Sequence, residues 1–130
     1  MKKIDNTTVI DIQLIGTLLS ILSFSFAFIL LYNQKLLEEN KKPLFSKQDT
    51  LNYVALNRLF VLAIVFLFLG ANALHLKIDK EKGEDLTFDY LDILSSVLTL
   101  VVALLAIYMA YKALKDSDLS IDSSIDDALL

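Results

Sequence analysis

The sequence has no cysteine and no tryptophan, one proline, three glycines and one histidine. Without cysteine there is no disulfide framework, no thiolate nucleophile and no sulfur-ligated metal site. The basic residues are eleven lysines and a single arginine, Arg58. With so much Ile, Asn and Asp beside them, this is the coding habit of an AT-rich, bacterial genome. The formal net charge is −4, but Asp116, Asp118, Asp122, Asp126 and Asp127 share the end of the chain with no base among them. The rest of the chain then stands at about +1. Signatures of catalysis are missing too: there is no HExxH, nucleophile elbow, P-loop or dinucleotide fingerprint. The expectation is a protein without enzymatic activity, cofactor or metal.

What the sequence does contain is apolar residues, 55% of the chain, gathered into three runs. Leu14 to Tyr32 is nineteen residues without a charge. At about 1.5 Å rise each they cover roughly 28 Å, matching a hydrocarbon core of about 30 Å. The run is too long for the core of a secretory signal, and Leu30 to Asn33 offer no small-residue cleavage site. Leu59 to Leu76 carries only Asn72 and His75 as polar residues and follows Arg58, whose long stem reaches an interface. Ile93 to Tyr111 is a third uncharged run, bracketed by Asp92 and Lys112. The fold class expected is therefore all-α: an integral membrane protein with three transmembrane helices in an up-down-up bundle. Spans are expected at about 9–33, 53–76 and 90–112, within a domain covering 1–115, followed by an acidic tail over 116–130. The tyrosines agree, since Tyr32, Tyr53, Tyr90, Tyr108 and Tyr111 all fall near run ends, where an amphipathic ring prefers the headgroup layer.

Helix punctuation fits these limits. Thr8 with Asp11 reads as a capping box, Ser46 with Asp49 as a second, and Thr87 precedes the third run. Pro43 and Gly83 mark the breaks. Three spans put the N-terminus and the 77–89 loop on one side, and the 33–52 loop and tail on the other. The first side has Lys2, Lys3, Lys77, Lys80 and Lys82; the second has Lys35, Lys41, Lys42, Lys47, Lys112, Lys115 and Arg58. That balance favours a cell-membrane protein with its N-terminus outside and its C-terminus in the cytoplasm.

Within lipid, helices associate through small residues and interhelical hydrogen bonds. Gly16, Ser20, Ser23 and Ala27 form one stripe on the first helix, and Ser96, Thr99, Ala103, Ala106 and Ala110 form one on the third. The reading is that these two parallel helices pack on each other through the stripes, leaving the phenylalanine-bearing second helix more exposed to lipid. The alternative is that a stripe docks a partner or a second copy. The topology also gathers Asp11, Gln13, Asn72, His75, Asp89 and Asp92 near one membrane face. A histidine between carboxylates there suits a proton relay, or an intramembrane enzyme built on Asp11, His75 and Asp92. The plainer reading is helix capping and interface solvation, because the three aspartates fall in first helical turns. The acidic 79–85 stretch fails as a calcium loop, since position six from Asp79 is Glu84 rather than glycine. Lys41, Lys42 and Lys47 beside Phe45 suit lipid headgroups, not nucleic acid. Arg58 is expected to rise toward phosphate or stack on Tyr108. In the tail, Ile121, Ile125, Ala128 and Leu129 share one helical face that a partner groove would accept.

The stretch Leu31-Tyr32-Asn33-Gln34-Lys35, with Lys42-Pro43-Leu44-Phe45 and Asn57-Arg58, resembles uncharacterised small multi-span membrane proteins of low-GC Gram-positive bacteria. The resemblance covers the middle third of the chain and implies membrane location without an assigned activity. The leading expectation is an accessory or regulatory protein that meets a membrane-protein partner, or another copy of itself, through helix packing and its acidic tail. The other is a pore former or small transport subunit. Three-span phage holins are similar in size and topology, though their tails are usually basic. Three spans do not divide into the inverted halves of a self-contained transporter.

Overall fold

The computed structural model describes residues 5–116, which are all-helical: α1 Asn6–Glu38, α2 Lys47–Lys82 and α3 Thr87–Lys115. Each helix contains an eighteen-residue window apolar enough to cross a membrane, and 17% of each window is buried inside the protein. The remaining apolar surface is far more than a water-soluble monomer exposes, and lipid is the solvent that satisfies it. The helices hold 33, 36 and 29 residues, or roughly 50, 54 and 44 Å at about 1.5 Å per residue. Each therefore extends beyond the hydrocarbon layer. Most of the acidic tail, including its Ile121 to Leu129 face, lies outside the described residues.

The helix ends have local causes. Asp5 caps α1 by accepting from the Thr8 N–H at 3.2 Å, so the helix begins upstream of the Thr8–Asp11 pair expected to start it. At its other end Asn40 adopts a left-handed conformation with φ 56°. The Asn40 and Lys41 N–H groups then donate back to the Leu37 and Leu36 carbonyls at 3.2 and 2.9 Å. This closed turn ends the helix before Pro43 is reached. Ser46 caps α2 through the Asp49 N–H at 3.1 Å. Gly83, at φ 71°, ends α2 by the same closed turn, with the Glu84 N–H donating to the Asp79 carbonyl at 3.0 Å. A positive φ there favours glycine, which has no Cβ to clash.

The packing corrects one expectation. α1 and α3 are not joined face to face through their small-residue stripes; each packs on α2, which is the central helix. Connections as short as 39–46 and 83–86 make sequential helices antiparallel neighbours. The buried residues of α1 recur every seven positions, at Val9, Gly16, Ser23 and Leu30, and those of α3 at Asp89, Ser96, Ala103 and Ala110. A seven-residue repeat keeps a seam on one side of a helix that coils gently around its neighbour. α2 carries two such rows. Thr50, Ile64, Ala71 and Ile78 form one, and Leu51, Val65 and Asp79 form the other. The first row meets α1, as in the cluster of Val9, Ala71 and Ile78. The second meets α3, through Asn72 to Ser96 and the Asp79–Asp89 region. The small residues are needed because the facing side chains are large: a Cβ on Gly16 would stand 2.8 Å from the ring of Phe68.

At the α1–α2 turn, Asn33 and Thr50 are both fully buried. The Asn33 amide donates to Thr50 Oγ1 at 2.8 Å and to the Phe45 carbonyl at 3.4 Å. Its oxygen accepts from the Leu44 and Phe45 N–H groups at 2.7 and 2.9 Å. One neutral side chain thus satisfies the loop backbone that Pro43 leads into. Tyr53 packs edge-on against Phe45 and Phe26, at 4.9 and 5.8 Å between ring centroids. Below it, Leu51 and Val54 join Leu30 of α1 to Ala110 and Ala113 of α3.

Candidate functional site

The opposite end is built differently. α2 continues helically to Gly83, which puts His75 and Asp79 one turn apart on one face. α3 starts soon after, with the Asp85 carboxylate accepting from the Thr87 Oγ1 and N–H at 2.8 and 3.0 Å. Those two hydrogen bonds, the hydroxyl's first, hold the Asp85 carboxyl below its ordinary range. The tight start turns Asp89 back onto α2. His75 Nδ1 lies 2.9 Å from Asp89 Oδ1 and His75 Nε2 lies 3.4 Å from Asp79 Oδ2. One donor atom from each of the three lies within 4.8 Å of the others. The Asp79 and Asp89 side chains are only 10% and 3% exposed, while His75 is 40% exposed. The ring is therefore the side of the cluster that solvent and ions can reach.

A polar seam continues inward from it. Asn72 donates to Ser96 Oγ at 2.6 Å and to the Asp92 carbonyl at 3.3 Å. Of the residues the sequence gathers at this face, the structure joins His75 with Asp89 and Asn72 with Ser96. Asp92 contributes its backbone, its side chain facing outward. Asp11 is exposed, and Gln13 is half-buried with its carbonyl accepting from Thr17 Oγ1 at 2.8 Å. Neither joins the histidine, because Val9 and Ile12 of α1 sit against Ala71, Leu74 and Ile78, on the other row of α2. Asp79 is the member that sequence reasoning missed. It was weighed only as the start of a calcium loop, although its spacing of four from His75 on a continuing helix is the signal that finds it.

The second feature is a cleft of about 290 Å³ bounded by all three helices. Ser23 and Ala27 of α1 and Thr99, Ala103 and Ala106 of α3 line its walls, and Asn57, Arg58, Val61 and Val65 of α2 lie along it. Five of the nine stripe residues thus meet at one opening. Of the other four, Gly16, Ser96 and Ala110 are buried and Ser20 is half-buried. Ser23 Oγ donates to Asn57 Oδ1 at 3.0 Å across the α1–α2 seam. Arg58 is half-buried beside this cleft, whereas Tyr108 is exposed.

No family model, no curated protein and no solved structure matches this chain. Its three apolar helices are those of a multi-pass membrane protein.

Proposed function

We propose that this chain is a non-enzymatic accessory membrane protein that receives a transmembrane helix of a partner protein in the cleft between α1 and α3. The observation that supports the reading is the placement of Ser23, Ala27, Thr99, Ala103 and Ala106 along one opening. In lipid, small side chains let another backbone approach closely, and that approach replaces the missing hydrophobic drive. Asn57 at the same level, its oxygen accepting from Ser23, favours a partner helix with a hydroxyl, amide or carboxylate there to accept from its amide. In this reading the acidic tail lies in the cytoplasm and adds a second contact to the same partner.

The absence of cysteine makes a clean test. Single cysteines at Ala27 and Ala106, and outward-facing controls at Phe28 and Leu105, are crosslinked in native membranes. Adducts to one partner from the two cleft positions, absent from the controls and lost when the exposed cleft residue Thr99 is replaced by Leu, are expected. Equal adducts from all four positions overturn the reading. Adducts between copies of this chain, with loss of membrane potential on expression, replace it with a pore-forming oligomer.

A further inference from the structure

We propose that His75, Asp79 and Asp89 bind one divalent transition-metal ion of the Zn²⁺ or Co²⁺ class where α2 turns into α3. This goes beyond the partner-helix reading and does not rest on it. The donor set is one imidazole nitrogen and two carboxylate oxygens, and an imidazole beside carboxylates selects transition metals over Ca²⁺ or Mg²⁺. The three donor atoms already lie within 4.8 Å of one another. Ligand atoms around an ion with bonds of about 2.0–2.1 Å stand roughly 3.4 Å apart in a tetrahedral site. Side-chain rotation covers that difference, since His75 and Asp79 share one helical turn and Asp89 is held against them by the short α2–α3 connection.

Charge supplies a second and independent reason. The Asp79 and Asp89 carboxyl groups lie against each other on opposite sides of the α2–α3 turn, and both side chains are nine-tenths or more buried. Among the described residues no lysine or arginine forms an ion pair with either; His75 is their partner. Two carboxylates held this close and out of water repel each other, and a divalent ion between them balances both. The half-open ring gives the ion its way in and leaves a coordination position for water. A bound ion ties α2 to α3 across the membrane surface and stiffens the hairpin.

The test uses the full chain, purified in detergent without a histidine tag, stripped with chelator and titrated with Co²⁺. One equivalent should give a saturable visible absorption band that Zn²⁺ displaces, a result that depends on no variant being folded. Asp79→Asn and His75→Ala should each weaken Co²⁺ binding at least tenfold, and Asp11→Asn, outside the cluster, should not change it. Zn²⁺ should raise the melting temperature of the unsubstituted chain and leave that of Asp79→Asn unmoved. A titration without a saturable band overturns the proposal, as does binding to Asp79→Asn as tight as to the unsubstituted chain.

Discussion

The two turns of this molecule solve the same problem, burying polar groups at a membrane surface, by opposite means. At the α1–α2 turn the buried groups are neutral, and Asn33 satisfies both loop amides and Thr50 at once. At the α2–α3 turn the buried groups are acids, and two carboxylates share a single histidine. The first arrangement is complete within the chain and contributes stability. The second crowds two buried carboxyl groups together, so a cation placed between them would relieve their repulsion.

The sharpest way to break that comparison is Asn33→Leu, which leaves the part-buried Leu44 and Phe45 N–H groups without their acceptor and removes the donor to Thr50 Oγ1. A loss of about 3 kcal/mol is expected from unmade buried hydrogen bonds, measured by unfolding in mixed micelles. Next comes the seam between the ends: Gly16→Val drives branched carbons into the Phe68 ring and should cost about 1–3 kcal/mol by overpacking. Gly70, with nothing within 4 Å of a built Cβ, is its control, and Gly70→Ala should gain up to about 1 kcal/mol in the same assay. At the charged end the sign reverses. Asp89→Asn keeps the shape while removing one of the two facing carboxyl groups, and should stabilise the chelator-stripped protein by about 1 kcal/mol. Destabilisation there would show that the aspartates are structural in the way Asn33 is. The smallest effect is at Asp85. Its lowered carboxyl contributes stability that is fully present above the ordinary carboxylate range and is lost as pH falls through its lowered value. Thr87→Val removes the main donor and should move the Asp85 titration upward, as read by carboxyl NMR shifts.

The three spans were readable because a bilayer demands long uncharged runs, and Leu14 to Tyr32 or Ile93 to Tyr111 meet that demand in no other fold. Ser46 and Gly83 were readable for the same kind of reason, each being a residue whose side chain or backbone suits a helix end. Which helix touches which was not. Small residues mark a close approach but not its partner, and Gly16 faces Phe68 of α2 rather than the equally small stripe of α3. The seven-residue rows at Val9, Gly16, Ser23 and Leu30 mix large, small and polar residues, so no single property traces them along the chain. Asn33 gave no signal, because its role depends on loop amides that only the folded turn brings to it. At the charged end His75 and Asp89 could be gathered by topology alone. Asp79 needed the knowledge that α2 stays helical through the acidic stretch up to Gly83.

Because the seams join helices that follow one another in the chain, biogenesis can proceed in the order of synthesis. The α1–α2 hairpin has its full complement of partners at the Asn33 turn and at the Gly16–Phe68 contact before α3 leaves the ribosome. Asp79 and His75 meet Asp89 only when α3 packs on α2, so the step that seats α3 is also the one that crowds these acids together.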